Sequence, residues 1–430
     1  MSGKNTVTNE KIIEKFNTLF KKYGRIPTHI EWDNAGGIGT STVRRRFRTF
    51  ENLAAIVQSG DISKEAIDDL QNSPKLFDSL TKQNSLLVKE NVKLKNFQQM
   101  VVMAVEAALA KVKPIKIEIP EIKETKDHFE HANLLLSDEQ IGTKFSLAET
   151  MGKNAYDFNS FLNNNKILRK AVVDIAALQA KAYPIPRLNI WAAGDDVEGE
   201  LIFKGQQFNI DRPLIDQVID GAYALTETLI HWAQVFPEIH IYQVWGNHGR
   251  SGSSKGEGNV RSNWDSVFWK IIELTCKAKG ITNVIFHLSM STTLVASVFG
   301  HNILLSHGNE TRGWMGIPFY GRSRDVLKMV NALELPIKLA LCGHFHNVAA
   351  WDVAPNCQII MNGSWIGGSP YSTVQLKTIN TPKQIMWGTC KKHVKTWSYD
   401  IELHAIKKLT ASADGLFTPV YESRDSQNAK

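Results

Sequence analysis

The residues best suited to chemistry in this 430-residue chain are carboxylates, amides and imidazoles that recur just after short apolar runs. ANLLLS leads into Asp138-Glu139-Gln140, LNIWAAG into Asp195-Asp196, and IYQVWG into Asn247-His248. NILLS leads into His307, and LALCG into His344-Phe345-His346. Carboxylate, amide oxygen and imidazole together form a hard-to-borderline donor set that suits Mn, Fe or Zn, whereas an all-oxygen set would point to Mg or Ca. Two such ions, ~3.5–4 Å apart, can clamp a phosphoryl group and supply hydroxide near neutral pH. One Asp would have to bridge them, and His248 beside Asn247 is placed to protonate a departing alkoxide.

Five dispersed segments can share a site only if the fold gathers them. Apolar runs at 132–137, 188–193, 239–245, 302–306, 338–342 and 357–361 read as strands, and amphipathic stretches at about 166–182, 213–235, 262–279 and 322–332 read as helices. That alternation predicts an α/β fold, in which ligands collect at the carboxyl ends of strands. All five segments follow directly on such an end.

Asp138-x-Gln140, Gly194-Asp195, Gly246-Asn247-His248, His307 and Gly343-His344-x-His346 resemble, in order and spacing, the five motifs of the calcineurin-like metallophosphoesterase superfamily. The resemblance covers residues 131–405 and implies a four-layer α/β sandwich of two mixed sheets flanked by helices. It implies one divalent metal on Asp138, Gln140, Asp195 and His346, and a second on Asp195, Asn247, His307 and His344. Asp195 would bridge, and Asn247 and His248 would be catalytic. Mn is the expected metal, with Zn, Fe or Mg as alternatives. Two departures stand out. Gln140 occupies a position that usually carries His, and its neutral amide is expected to bind the first metal less tightly or to favour Mn over Zn. Gly249 follows the third motif where an Asp is common, which leaves the support of His248 open. Asp196 and Glu198, beside the expected bridging Asp, read as acids that support the site or line its loop, with a direct role as the alternative, and Arg250, ahead of the run Ser251 to Gly256, could hold a substrate phosphate or merely border a surface loop.

The formal charge is +7, and the first fifty residues, with ten Lys/Arg against four Asp/Glu, carry +6 of it. That concentration is what a polyanion-binding module would show. Residues 1–60 read as helices around Ile12, Phe16, Leu19, Phe20 and Tyr23, a Gly-rich turn at 34–39, and a further helix capped by Thr40 or Ser41. YGRIPT, the turn and STVRRRF resemble the helix-turn-helix repeats associated with homing endonucleases. The resemblance implies DNA as a partner, with Ser41, Thr42, Arg44, Arg45, Arg46 and Arg48 facing the groove or the phosphates. A basic solvated helix is the alternative.

Residues 61–112 read mainly as a long helix. Leu80, Leu87, Leu94 and Val101 recur every seventh residue, with Phe77, Asn84, Asn91 and Gln98 as the companion positions. The pattern fits a dimeric coiled coil over 75–110 or a helix packed on its own chain. Residues 113–130 read as a linker and 406–430 as a tail. Hydrophobic content of 43% with 22% charged residues suits a globular protein. No apolar run approaches the ~20 residues that span a bilayer, no apolar leader opens the chain, and the four cysteines form no CxxC pair. Cytoplasm is the expected setting. No P-loop signature is present, so any ATPase partner would act in trans. The expected activity is a two-metal DNA phosphodiesterase, endo- or exonuclease. The alternatives are a phosphomonoesterase or protein phosphatase, and an inactive DNA-binding scaffold.

Overall fold

The computed structural model describes residues 8–23, 26–47, 50, 53, 54, 57, 97–121, 128–252, 262–311, 318–376 and 379–403. The chain divides into two compact units, Met1–Lys93 and Leu94–Lys430.

In the first unit, helix α1 (Asn9–Tyr23) turns Ile12, Ile13, Phe16 and Leu19 inward. They meet Trp32 of α2 (His29–Asn34) and Val43 and Phe47 of α3 (Thr40–Phe47) in a small core. Thr28 and Glu31 form a capping box at the start of α2. The Lys15 ammonium ties the following turn together, donating to the carbonyls of Trp32, Gly36 and Ile38 at 2.8, 2.6 and 3.0 Å. The cap of α3 differs from the expectation. Neither Thr40 nor Ser41 supplies it; Asp33 accepts from the Thr40 amide at 2.9 Å and from its hydroxyl.

The second unit is a mixed α/β fold of two sheets flanked by helices. One sheet has the order β11-β10-β1-β2-β3-β4. Its strands are β1 (His131–Leu136), β2 (Arg187–Ala192), β3 (Glu238–Gln243), β4 (Val284–Leu288), β10 (Lys383–Thr389) and β11 (Ser398–Glu402). The other has the order β5-β6-β7-β9-β8, from β5 (Thr293–Val298), β6 (His301–Ser306), β7 (Ile337–Cys342), β8 (Ala349–Ala354) and β9 (Cys357–Met361). β1, β2, β3 and β4 run parallel, as do β6, β7 and β9, and antiparallel strands close the margins.

Side-chain alternation makes the layers. Leu134 and Leu136 of β1 and Leu188 and Ile190 of β2 face α4 (Phe158–Gln179), α5 (Leu214–Ala233) and α6 (Trp264–Ala278) in one apolar core. Their neighbours Leu135 and Trp191 point the other way, meeting Ile303, Leu305, Leu339 and Leu341 between the sheets. The outer face of the second sheet packs Leu304, Ala340 and Ile359 on Val326, Met329 and Val330 of α7 (Phe319–Leu333). Helix, sheet, sheet and helix therefore follow one another.

Residues 97–109 are helical, and Val101 joins the core beneath α6 while Gln98 donates to Ser251 Oγ at 3.2 Å. The last two heptad positions are thus taken up within this unit; the earlier ones, Phe77 to Leu94, lie outside the described residues, as does the 406–430 tail. Ile115 N donates to Lys279 O at 2.9 Å and Ile117 packs on the same core, so residues 113–121 run along the domain surface. Among the described residues no helix is long and apolar enough to cross a membrane.

β1, β3 and β4 carry a set of imidazoles. His131 packs 4.2 Å from the Phe299 ring, and its Nδ1 has no hydrogen-bond partner. His240 Nδ1 meets His287 Nε2 at 3.1 Å, with Glu238 and Arg187 alongside. Burial, then the Arg187 charge, pushes His131 down to about 3, with Glu238 opposing and His240 reinforcing the shift. A group whose folded pKa is depressed below an unfolded value of 6.5 resists protons that the unfolded chain accepts. Stability should therefore fall as pH drops from about 6.5 toward 3. His131→Leu should flatten the melting temperature against pH over that window; an unchanged slope in calorimetric melts would show that this imidazole is not the sensor.

Candidate metal centre

The chain leaves each parallel strand and enters a tight loop, and the loops of both sheets open at the same end. Asp138 lies just beyond β1, Asp195 beyond β2, Asn247 beyond β3, His307 beyond β6 and His344 beyond β7. The loops after β1 and β2 are zipped by backbone bonds from Asp138 N to Gly194 O, Gln140 N to Asp195 O and Ile141 N to Asp196 O, at 2.9–3.1 Å. Nine non-glycine residues among those described have left-handed backbones, and five of them are Asp138, Gln140, Asp195, His344 and His346. Such conformations cost on the order of 1–3 kcal/mol each and persist only where the surroundings impose them. Here they turn the side chains inward.

Asp195, Asn247, His307 and His344 converge. His307 Nε2 lies 3.0 Å from Asp195 Oδ2, 3.2 Å from Asn247 Oδ1 and 3.2 Å from His344 Nδ1. His307 Nδ1 faces the Ala193 carbonyl at 2.7 Å, an arrangement that fixes the ring and aims Nε2 at the cluster. Asp138 and His346 make a second pair, Oδ1 to Nε2 at 3.3 Å. The Asp138 carboxylate also accepts from His344 N at 3.0 Å and from Ser137 Oγ at 2.6 Å. Gln140 reaches His248, with its amide nitrogen 3.4 Å from Nε2.

This donor set fits a divalent cation. Asp195 Oδ2 is buried and, despite its 3.0 Å approach to His307, has no hydrogen-bond partner. A buried carboxylate this close to amide oxygen and imidazole nitrogens demands positive charge, which the His307 proton or a cation in its place can supply. Proton affinities report the same demand. Burial disfavours the His307 imidazolium, yet Asp195 outweighs it and lifts the pKa to about 9. Burial, then His307, pushes His344 down to about 3, leaving a neutral ring with a free lone pair.

Asp265 carried no signal in the sequence. The buried Asp265 carboxylate accepts from Asp195 N at 3.0 Å, Gly246 N at 2.8 Å and Val197 N at 3.4 Å, and so fastens the β2 and β3 loops together. In sequence it is merely an acid in the first turn of α6, a common place for one. Asp196 faces away from the cluster and accepts Trp269 Nε1 at 3.0 Å. Glu198 supports His248: His248 Nδ1 lies 3.0 Å from the Glu198 carbonyl and 3.3 Å from its carboxylate. Thr143 and Gln206 hold that carboxylate, at 2.6 and 2.9 Å. Burial works against the His248 imidazolium, but Glu198, then Asp195, outweigh it and raise the pKa to about 10.

Gly249 now has a steric explanation. A Cβ there would collide with Asn263 Oδ1 and come within 2.9 Å of Asp265 Cγ, so the side chain common at this position has no room. Arg250 directs its guanidinium at the carbonyls of Asn247, Gly252 and Ile202, at 2.8, 2.9 and 3.4 Å, and braces the loop that carries Asn247. In the first unit Ser41 and Arg44 are exposed on α3, Thr42 is half-buried, and Arg44 lies 3.5 Å from His29. The side chains of Arg45 and Arg46, and residue Arg48, lie outside the described residues.

No family model matches the sequence, and no curated protein does. Among solved structures, the chain is similar to a conserved uncharacterized protein, a predicted phosphoesterase, from Streptococcus pneumoniae. Identity is 11% over 64% of this chain and 99% of that one, with a TM-score of 0.26. It is similar to wild-type Vps29 complexed with zinc from Entamoeba histolytica (11%, 63% and 99%, TM-score 0.27). It is also similar to a dimetal phosphatase from Danio rerio (10%, 64% and 99%, TM-score 0.28).

Gly249→Asp should lower the melting temperature by several degrees or abolish soluble folding, because the Asn263–Asp265 wall cannot retreat without releasing the loops it holds. Wild-type melting by circular dichroism would overturn this account of the missing acid.

Proposed function

We propose that this protein is a metal-dependent phosphodiesterase of the calcineurin-like type that hydrolyses the DNA backbone. The observation that carries the reading is the convergence of Asp195 Oδ2, Asn247 Oδ1 and His344 Nδ1 on His307 Nε2 at 3.0–3.2 Å. Asp195, Asn247, His307 and His344 would hold one divalent ion. Asp138, Gln140 and His346, sharing Asp195, would hold the other, and Mn suits this nitrogen-and-oxygen set with its neutral amide. When bound, the two ions neutralise phosphoryl oxygens and acidify a water.

The chain's own residues do the rest. His248 stands at the rim in the acid form that Glu198 favours and donates its proton to the leaving oxygen as the phosphorus–oxygen bond breaks. Glu198, held by Thr143 and Gln206, keeps the donating nitrogen turned toward the substrate. DNA is the favoured substrate because the first fifty residues carry +6 of the chain's +7 formal charge, with Lys11, Lys21, Lys22 and Arg44 exposed on α1 and α3. Lys15 is excluded from that role by its bonds to the turn.

The test compares p-nitrophenyl phosphate, bis-p-nitrophenyl phosphate and supercoiled, linear and single-stranded DNA with Mn, Mg or Zn. Diester and DNA cleavage that is lost in EDTA, restored by Mn, and reduced at least a hundredfold in Asn247→Ala and His248→Ala is expected. Monoester hydrolysis alone would establish a phosphatase instead, and no turnover with intact metal binding would establish a scaffold. Glu198→Gln should reduce kcat about tenfold or more while calorimetry shows unchanged metal stoichiometry; equal loss of both would reassign Glu198 to holding the loop.

A further inference from the structure

Beside the proposed acid, the loop LIFKGQQF (201–208) displays three large apolar side chains to solvent. Leu201 is 70% exposed, Phe203 48% and Phe208 83%. Exposed apolar residues such as Leu201 and Phe208 are ordinary; Phe203 differs because its ring stands beside that of His248. The loop is built to show them. Ile202 and Gln206 are buried; Gln206 accepts from Ile202 N at 2.9 Å and donates to the Glu198 carbonyl and carboxylate at 2.7 and 2.9 Å. Arg250 adds a bond to the Ile202 carbonyl at 3.4 Å. The Glu198 that positions His248 therefore also fastens the loop, and the Phe203 ring stands 6.3 Å from the His248 ring at 74°.

We infer that Phe203 stacks the nucleobase on the leaving-group side of the cleaved phosphodiester, so that the enzyme acts on unpaired nucleotides. The inference rests on the phosphodiesterase reading above. His248 protonates the departing oxygen, so whatever that oxygen belongs to lies on the His248 side, where Phe203 is. A nucleobase is flat, apolar on its faces and linked to an anionic backbone. The loop offers an aromatic face with the exposed Lys204 next to it, the pairing that single-strand binders use. A base inside a duplex has both faces covered by its neighbours and could not take this position, which assigns single-stranded, frayed or gapped DNA as substrate.

The experiment uses the full-length protein with Mn and oligonucleotides cut at one site, either with a normal nucleotide or with an abasic sugar on the leaving side. Phe203→Ala is expected to raise KM for the normal oligonucleotide about tenfold, the size of one base–aromatic stack. The abasic substitution should weaken the wild-type enzyme by a similar factor, and the two losses should overlap instead of multiplying. Phe203→Trp should restore the wild-type KM. A duplex of the same sequence should be cut at least tenfold less efficiently than the single strand. Losses that multiply, or a Phe203→Ala enzyme that cleaves normally, would overturn the stacking assignment while leaving the phosphodiesterase intact. A change in sedimentation of that variant with kinetics unmoved would put a second copy of the chain on the loop and overturn it too. Hydrolysis of p-nitrophenyl phosphate with no oligonucleotide cleaved would remove the phosphodiesterase reading itself and this inference with it.

Discussion

Asp195 is a buried carboxylate whose Oδ2 lies 3.0 Å from His307 Nε2, and that electrostatic pairing organises the surrounding structure. A lone anion in such a place would take up a proton. Burial pushes the Asp195 carboxyl that way, but the His307, His248 and His344 imidazoles outweigh it and hold the carboxyl below the usual carboxylate range. Keeping imidazole, amide and carboxylate so close requires a frame that does not relax. The left-handed loops, the backbone bonds between them and the Asp265 carboxylate beneath provide it.

Much of this was legible in the residues alone, for a physical reason. Parallel central strands such as ANLLLS and LALCG are buried on both faces, so they read as unbroken apolar runs, and the polar residue that ends each run marks a loop opening on the site. The marginal strands were not read, because β4, β5 and β8 are half-buried and mix polar with apolar residues. Helix α4 begins eight residues before its apolar periodicity suggested. FNSFLNNN looks like a turn, but Asp157 caps the first turn, and Asn164 and Asn165 donate to the Trp365 and Ala224 carbonyls. Buried amides satisfied by distant backbone leave no trace in local periodicity.

The support of His248 could not be read from neighbours in the chain either. Its partner Glu198 is fifty residues away, and the position that could have carried an acid is filled by the wall of Asn263 and Asp265. One consequence is that the acid's orientation and the shape of the rim are no longer independent. Glu198 touches His248 on one side and Gln206 on the other, so the proton donor and the surface beside it are positioned by a single carboxylate.

The clustered residues also belong to different sheets. Asp138, Asp195 and Asn247 ride on the first, whereas His307 and His344 ride on the second, and what separates the two is a layer of Leu135, Trp191, Tyr242, Ile303, Leu305, Leu339 and Leu341. That hydrocarbon filling acts as a spacer gauge. Close-packed interiors resist compression, so the separation between the two halves of the cluster is ruled by the thickness of side chains that never touch it. A change of core volume would then move His307 and His344 relative to Asp195 and Asn247 without altering any of the four.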